Sequence, residues 1–292
     1  MIEFKDISIE HKKICDEYLN LTANQNCESS FGILFIWKDI YKNQIAIVDD
    51  FLVVKNALPD GDRFYQPYGK GNIVAVTKKL IENQAEKGQK LKIVCASAEY
   101  SNMAKEKFNA KIEANRDYFD YVYLASNLAE LKGKKYHAKR NHVNKFRAIY
   151  DFRFDEMTPE NCDIAIMLSK QWCSENNSCG EKSIRNERCS MDNLTKYFTE
   201  LEARGLILYI DDKPVAFTAG TPKGDMFIVH FEKAIAGYEG TYAAINNEFA
   251  NRLKDKFTYI NREEDMGLPG LRKSKLSYHP DRLVEKYDVE FE

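Results

Sequence analysis

The sequence predicts an α/β protein of two similar halves, each with a mixed, mostly antiparallel sheet flanked by helices. The chain of 292 residues is too long for one small domain and suits two domains of about 130 to 150 residues. Short apolar runs joined by acidic turn pairs predict a hairpin in each half. The predicted elements follow a similar order in both halves, although no segment of the sequence is repeated.

The first half begins with a predicted amphipathic helix over residues 10–21, where apolar side chains recur at helical spacing. Two alternating runs flank the Asp-Asp pair at 49–50 and predict a hairpin. Glycines in the loop 66–72 could turn backbone amides towards an anion, but an ordinary turn is the preferred interpretation. The other predicted elements are strands over 31–37, 45–48, 51–55, 91–96 and 120–124, and helices over 73–87 and 98–108.

A basic segment, residues 132–147, contains seven lysines or arginines and no acidic residue. Arg140 lies on the apolar stripe of its predicted helix and therefore points inward. A buried arginine needs an acidic side chain or an anionic ligand, so Arg140 is a candidate ligand-binding residue, together with Asn141. The lysines of the segment, including Lys139, are predicted to face water.

The second half repeats the order of helix, antiparallel strands, helix and strand. Its hairpin is predicted over the turn at 211–213. Helices are predicted over 163–172, 192–204 and 241–254, strands over 206–210, 214–219, 226–232 and 257–260, and a long polar loop over 173–190.

Composition limits the function classes. The 44% apolar and 30% charged content is that of an ordinary globular protein. The net charge of -2 argues against a generally basic nucleic-acid binder, although a local basic patch is compatible with it. No apolar run approaches the roughly 20 residues of a membrane span, and the N-terminus does not resemble a signal peptide. We therefore predict a cytoplasmic protein without a transmembrane segment, and leave its oligomeric state open.

The seven cysteines do not have the spacing of a disulfide framework. Cys173, Cys179 and Cys189 come nearest to a metal cluster, but no histidine lies among them and no C-x-x-C occurs. The sequence favours free thiols over a zinc site, and we predict no metal.

Charged residues follow two consecutive strands of the second half. His230, Glu232 and Lys233 end the apolar strand at 226–232, and residues 261–280 follow the next strand with charges of both signs around a Gly-Leu-Pro-Gly turn. Such a loop at the carboxyl edge of a sheet is where α/β proteins bind ligands. The alternative is a solvated loop with local ion pairs.

Three runs of the sequence resemble a bacterial family related to the C-terminal catalytic domain of phosphatidylglycerol lysyltransferases. They are residues 125–146, 230–250 and 261–280. The resemblance implies two tandem acyl-CoA N-acyltransferase-like domains, as in the Fem transferases, and the element order is similar to that fold. We expect an N-terminal domain over 1–131 and a C-terminal domain over 132–292 that carries the site, with a shared cleft near residues 131–136.

The same resemblance assigns candidate site residues. Glu232 and Lys233 match the family's E-K, and the run at 261–265 matches its N-R-E-x-D. From the two charged strand ends we assign Glu232 or Asp265 as the candidate base. The remaining candidates are Arg262 and Lys275 as charge stabilisers, and Arg140, Asn141, Lys233, Glu263, Arg272 and Tyr278 as substrate- or carrier-binding residues.

The resemblance also implies transfer of an activated acyl group to an amine or hydroxyl. The donor is an aminoacyl-tRNA or an acyl-CoA, and the acceptor is a small molecule, a lipid or a peptide. The run 233–241, KAIAGYEGT, departs from the Q/R-x-x-G-x-G/A loop that binds the CoA pyrophosphate, so we predict negligible acetyl-CoA binding by the second domain. A CoA-dependent N-acyltransferase and a non-catalytic protein that binds an anionic ligand remain the alternatives.

Overall fold

The computed structural model describes residues 2–22, 25–176, 178 and 180–292. In chain order its strands are β1 Lys5–Asp6, β2 Asn43–Val48, β3 Phe51–Leu58, β4 Gly61–Phe64, β5 Tyr68–Gly69, β6 Lys92–Ala96, β7 Lys111–Ala114, β8 Asp120–Leu124, β9 Phe152–Glu156, β10 Arg204–Ile210, β11 Lys213–Lys223, β12 Met226–Ala234, β13 Tyr259–Asn261, β14 Arg282–Val284 and β15 Tyr287–Glu290. Its α-helices are α1 Lys12–Leu19, α2 Phe31–Ile36, α3 Lys38–Tyr41, α4 Ile73–Ala85, α5 Ala98–Phe108, α6 Ala125–Glu130, α7 His137–Ile149, α8 Asp163–Glu175, α9 Lys182–Lys196, α10 Thr241–Leu253 and α11 Pro269–Leu276.

The chain forms two compact units, and each is discontinuous in sequence. Unit 1 comprises Met1–Asp120, Glu264–Gly267 and Val284–Glu292. Unit 2 comprises Tyr121–Glu263 and Leu268–Leu283. The chain thus returns to unit 1 twice after residue 263. The expected domains over 1–131 and 132–292 stay a prediction.

The sheet of unit 1 has the order β1-β2-β3-β4-β6-β15-β7, with β5 paired to β3. Its pairs are antiparallel except for the short parallel contact of β4 with β6. Phe64, Val76 and Leu80 are among the fully buried residues of its core. Because β15 lies between β6 and β7, the last strand of the chain completes the sheet of the first unit.

The sheet of unit 2 has the order β14-β8-β13-β12-β11-β10-β9. Its strands β12 and β13 are parallel and are joined through α10, as parallel neighbours require a crossover. They pair only where Met226–Ile228 faces Tyr259–Asn261, while β12 continues to Ala234. Strand β12 therefore continues past the end of β13, and the charged strand ends lie there.

The predicted fold class is confirmed, since helices flank a mostly antiparallel sheet in each unit. Both predicted hairpins are present, with Val48 opposite Phe51 and Ile210 opposite Lys213. The turn residues at 49–50 and 211–212 are aspartates with φ between 46° and 61°. Aspartate tolerates this left-handed conformation, which two-residue hairpin turns demand.

Three predicted elements are wrong. Residues 31–37 form helix α2 rather than a strand, because Phe31–Ile36 is buried on all sides and shows no period. The predicted loop at 173–190 contains most of α9, which ends at Lys196 and so shortens the helix predicted over 192–204. The predicted loop at 261–280 contains α11, with Pro269 in its first turn, where proline is tolerated.

The prediction of free thiols holds for the cysteines Cys15, Cys27, Cys95, Cys162 and Cys189. It is wrong for Cys173, which is disulfide-bonded. Cys179 lies outside the described residues.

Candidate active site

An ion pair between Glu232 and Arg262 lies in unit 2, where β12 continues past the end of β13. Arg262 Nη2 is 2.8 Å from Glu232 Oε1, and each side chain is 10% exposed. Burial opposes the charged form of Arg262, but the neighbouring Glu232 carboxylate raises its pKa above the usual value. The sequence predicted both residues, and the structure brings them together across 30 positions of the chain.

Unused hydrogen-bonding capacity surrounds this pair. Among the described residues, Arg262 Nη1, Thr218 Oγ1 and Asn246 Oδ1 are buried and have no hydrogen-bond partner. Thr218 lies opposite Glu232 in the β11–β12 register, and Asn246 Nδ2 is 3.4 Å from Glu232 Oε2. Buried polar groups are normally satisfied, so their concentration beside one carboxylate indicates a functional site. The sequence did not indicate Thr218 or Asn246 as site residues, because each is a single polar residue within a largely apolar strand or helix.

Aromatic rings cover the guanidinium of Arg262. It lies 5.1 Å from the ring centroid of Tyr278 and 6.0 Å from that of Tyr123. Burial raises the pKa of Tyr278 to about 12, with Arg262 opposing and Glu232 adding to the rise, so the phenol stays neutral. Tyr278 was predicted to bind substrate, and the structure places it at the site.

Lys139 also lies at the site, contrary to its predicted position in water. Its Nζ is 3.9 Å above the Tyr278 ring. Burial and the nearby charge of Arg262 lower the pKa of its amine. The sequence does offer one indication that Lys139 turns inward: it lies three residues after the apolar Tyr136, which is buried, and residues three apart share a side of a helix.

Lys275 binds backbone carbonyl oxygens. Its buried Nζ donates to the carbonyl oxygens of Arg262, at 2.6 Å, and Glu263, at 3.2 Å. The Tyr123 hydroxyl donates to the carbonyl oxygen of Lys275 at 2.7 Å. These bonds hold α11 against the turn after β13, so Lys275 positions Arg262.

Glu263 takes part in a second polar group on the same strands. Its Oε1 is 2.8 Å from His230 Nδ1, and the Thr221 hydroxyl is 2.8 Å from His230 Nε2. Burial lowers the pKa of His230 to about 3, so the ring is neutral. We assign the proton to Nδ1, which donates to Glu263, while Nε2 accepts from Thr221.

Asp265, the other candidate base, belongs to unit 1. It is fully buried, lies 3.4 Å from Arg116 Nη1, and accepts from the backbone N–H of Gly267 at 2.9 Å. These contacts are those of a structural carboxylate.

Arg140 binds the turn that precedes its helix. Its Nη1 donates to the carbonyl oxygens of Leu131 and Gly133, the latter at 2.7 Å. The left-handed turn at Leu131 and Gly133 points these two oxygens towards the helix. The role of Arg140 in binding a ligand stays a prediction. Asn141 is exposed, and Arg272 of α11 is half-buried.

Lys233 faces away from Glu232 because neighbouring residues of a strand alternate in direction. Its Nζ is 2.8 Å from Glu187 Oε1 and 3.7 Å above the Trp172 ring. Neither Glu187 nor Trp172 was singled out in the sequence. Lys233 thus has an acidic and an aromatic partner of its own within unit 2.

The segment 233–241 precedes α10, where acyl-CoA enzymes bind pyrophosphate through backbone amides. The N–H of Ala236 donates to Glu175 Oε2 at 2.8 Å, and that of Glu239 donates to the Tyr150 hydroxyl at 2.9 Å. The Glu239 carboxylate lies 2.7 Å from Lys145. Two of the amides near this helix start are therefore already bound, one of them by a negative charge.

No helix within the described part of the chain is long and apolar enough to span a membrane.

Comparison with solved structures identifies a close relative. A conserved protein of unknown function from Bacteroides thetaiotaomicron is 38% identical, with all of both chains covered and a TM-score of 0.96. An uncharacterized protein of Mycoplasmoides gallisepticum is 24% identical over 172 residues, which are 58% of this chain and 55% of that protein. This chain thus matches about half the length of that curated relative.

More distant structures share the fold. L-PGS from Bacillus licheniformis is 14% identical, with 95% of this chain and 90% of that chain covered and a TM-score of 0.68. FemX is 9% identical, with 99% and 97% covered and a TM-score of 0.68. The fold is the tandem acyl-CoA N-acyltransferase-like fold that the order of elements predicted.

The family described as "Phosphatidylglycerol lysyltransferase, C-terminal" matches residues 19–290, nearly the whole chain. This match covers all three sequence runs that carried the resemblance. The chain belongs to the family of the phosphatidylglycerol lysyltransferase C-terminal domain.

Proposed function

We propose that the chain is an acyl- or aminoacyl-transferase whose chemistry takes place at the Glu232–Arg262 pair. The observation that carries the proposal is Arg262 Nη1, which is buried and has no hydrogen-bond partner among the described residues. Membership of the family supports a transferase of the aminoacyl or acyl type.

Arg262 is the group that stabilises developing negative charge. Attack of an amine or hydroxyl on an ester or thioester carbonyl places an oxyanion on that carbonyl. A buried guanidinium N–H with no protein acceptor can donate to this oxygen without first breaking another bond. Glu232, Tyr123 and Tyr278 hold the guanidinium in place, so little reorganisation is required.

Glu232 is the preferred base. Its Oε1 accepts a hydrogen bond from Arg262, whereas within the described part of the chain Oε2 has only the long contact of 3.4 Å with Asn246. That second oxygen can accept the proton of the attacking amine or hydroxyl. Asp265 is less suited, because it is fully buried and bonded within unit 1.

An aminoacyl-tRNA is the preferred donor, with an acyl-CoA as the alternative. Occupation of the Ala236 and Glu239 amides disfavours a pyrophosphate at the start of α10. Exposed lysines near the start of α7, such as Lys134 and Lys135, suit a long polyanion. The acceptor is an amine or hydroxyl of a small molecule, a lipid or a peptide.

The test is single-turnover acyl transfer from aminoacyl-tRNA to a panel of amine, lipid and peptide acceptors. Arg262→Gln and Glu232→Gln are expected to lower the rate by about 10²–10³-fold, the usual effect of removing an oxyanion donor. The matched control is Arg252→Gln, which removes an exposed pair with Glu248 in the same unit. Full activity in both site variants would refute the assignment.

A second candidate is a non-catalytic protein that binds an anionic ligand. It is favoured by the arginine partners of both candidate bases, Glu232 with Arg262 and Asp265 with Arg116. A thermal-shift comparison of tRNA, aminoacyl-tRNA and CoA thioesters separates the candidates, because ligand binding to the folded state raises the Tm. Stabilisation without turnover on any acceptor would favour the binding protein.

A further inference from the structure

Lys139 lies beside the Glu232–Arg262 pair, and the proposed function gives it no role. Its Nζ is 3.9 Å above the ring of Tyr278, and the guanidinium carbon of Arg262 lies 5.1 Å from the centroid of the same ring. All of these residues belong to unit 2. Two cations therefore share one aromatic ring at the site, although only Arg262 has a carboxylate partner there.

Packed residues hold Lys139 in this position. Tyr136, three residues earlier, is buried and lies edge to face with His279, with 5.4 Å between the ring centroids. His279 Nε2 donates to the carbonyl oxygen of Lys135 at 3.0 Å. These contacts fix the start of α7 against the residue that follows Tyr278. Because residues three apart share one side of a helix, they also direct Lys139 towards the Tyr278 ring.

The ammonium group of Lys139 has three N–H donors and no protein acceptor. Across the part of the chain that the structure describes, it forms no hydrogen bond and no ion pair. Lys145, on the same helix, differs because it pairs with Glu239 at 2.7 Å. A half-buried ammonium group beside a second cation is subject to repulsion. Its free donors and its place at the site indicate that a substrate supplies the acceptor.

Lys139 is also the strongest acid at the Tyr278 ring. Burial, and secondly the charge of Arg262, lower the pKa of its amine below the ordinary 10.5. Burial instead raises the pKa of Tyr278 to about 12, and a guanidinium group does not release its proton. The Tyr123 hydroxyl already donates to the carbonyl oxygen of Lys275. Among these groups, Lys139 is thus the one suited to give a proton to a substrate.

We propose that Lys139 is the general acid of the reaction and protonates the leaving oxygen of an ester donor. This role rests on the function proposed for Glu232 and Arg262. The acceptor nitrogen or oxygen forms a bond to the carbonyl carbon, and Glu232 takes its proton. The bond from that carbon to the ester oxygen then breaks, and the Lys139 ammonium group donates a proton to this oxygen, which leaves as a hydroxyl. The Lys139 amine regains a proton from water, and Glu232 releases its own to water.

An acid at this position favours an ester donor over a thioester. A thiol has a pKa of about 8.5, so a thiolate leaves readily without a proton, whereas an alkoxide is far more basic. Arg262 acts on the carbonyl oxygen, and Lys139 acts on the second oxygen of the same ester group. Both cations lie within 5.1 Å of the centre of the Tyr278 ring. A single ester group is small enough to receive hydrogen bonds of about 2.9 Å from both.

The experiment compares single-turnover transfer of one aminoacyl group from tRNA, an ester, and from N-acetylcysteamine, a thioester. Lys139→Ala is expected to slow transfer from the tRNA ester by about 10²-fold, the usual contribution of a general acid, and to leave transfer from the thioester unchanged. The control Lys145→Ala, which removes the exposed pair with Glu239, retains both rates. Equal loss with the two donors overturns the acid role. Absence of transfer by the wild-type protein from either donor overturns the proposed function itself.

A second variant separates proton donation from charge. Lys139→Arg keeps the positive charge but does not release a proton, so it is expected to be as slow as Lys139→Ala with the tRNA ester. Neither variant is expected to change the donor concentration that gives half the maximal rate. Full activity in Lys139→Arg, or a weaker half-saturation with an unchanged maximal rate, would show that Lys139 only binds an anionic group and would overturn the proposal.

Discussion

Two buried residues of unit 2, His230 and Arg262, have different charge states. His230 is buried between Thr221 and Glu263, and it stays neutral because desolvation disfavours the imidazolium form. Arg262 directly follows the neighbouring strand β13 and stays charged, with the Glu232 carboxylate at 2.8 Å. Each side chain has a carboxylate partner, and they differ because imidazole can release its proton on burial whereas a guanidinium group does not.

The pH dependence of stability is expected to report His230. Its pKa falls from 6.5 to about 3 on folding, so the native state binds fewer protons than the unfolded state between these values. The contribution of neutral His230 to the free energy of unfolding is complete above pH 6.5 and is lost as pH falls towards 3. Denaturant unfolding from pH 7 to pH 4 should show a shallower loss in His230→Asn than in wild type. The exposed His142→Asn serves as control, and identical slopes in all three proteins would contradict the prediction.

Arg140 and Lys135 provide a comparison between a hydrogen-bonded and an exposed cation on the same basic segment. Arg140 donates to two carbonyl oxygens, whereas the Lys135 ammonium is exposed. Arg140→Ala is expected to lower the free energy of unfolding by about 1–3 kcal/mol, because it leaves backbone acceptors unpaired. Lys135→Ala should cost less than about 0.5 kcal/mol. Urea titration measures both, and equal effects would refute the distinction.

At the scale of elements, the turn before α10 decides the preferred donor. Gly240, with φ of 82°, begins this helix, and an added Cβ would lie 3.0 Å from the His142 carbonyl oxygen. Glycine is therefore required for packing against α7, independently of any phosphate. The neighbouring amides are bound by Glu175 and Tyr150. A glycine at a helix start is thus insufficient to indicate an anion site.

Acetyl-CoA is expected to bind negligibly to this turn. The Glu175 carboxylate bound to the Ala236 amide repels a phosphate at the same position. Calorimetric titration at moderate salt should give no saturable heat for wild type. Clear micromolar binding that Glu239→Ala leaves unchanged would contradict this and favour the CoA-dependent alternative.

At the scale of the whole molecule, the chain crosses between its compact units more than once. Strand β15 pairs with β6 and β7. Lys286, just before β15, forms buried ion pairs with Glu28 and Asp120. The stability of unit 1 thus depends on the last residues of the chain. A terminal segment held by sheet pairing and buried charge is unlike the frayed ends of most domains.

Removal of residues 284–292 is expected to unfold unit 1. It leaves β6 and β7 without their shared partner and three carboxylates without Lys286, which is worth about 3–5 kcal/mol for the broken ion pair alone. Hydrogen exchange should show lost protection in β6 and β7. Removal of the exposed Glu292 alone is the control. Retained protection in the long truncation would show that β15 is dispensable.

Short stretches of the sequence encode the local features of this fold. Local conformational preference and period predict the hairpin turns at Asp49 and Asp211 and the amphipathic helices. The charged ends of two predicted strands also indicate Glu232 and Arg262, although not that they form an ion pair.

Which residues contact one another depends on folding. The sequence predicts a strand where helix α2 forms, because a segment buried on all sides has no hydrophobic period. Lys139 could not be placed at the site without Tyr278, which lies far along the chain. Lys286 meets Glu28, Asp120 and Glu264, which lie in distant stretches of the chain. The burial and charge state of Lys139 and Lys286 depend on residues that folding brings together. A local sequence pattern cannot predict which distant charges will be in contact.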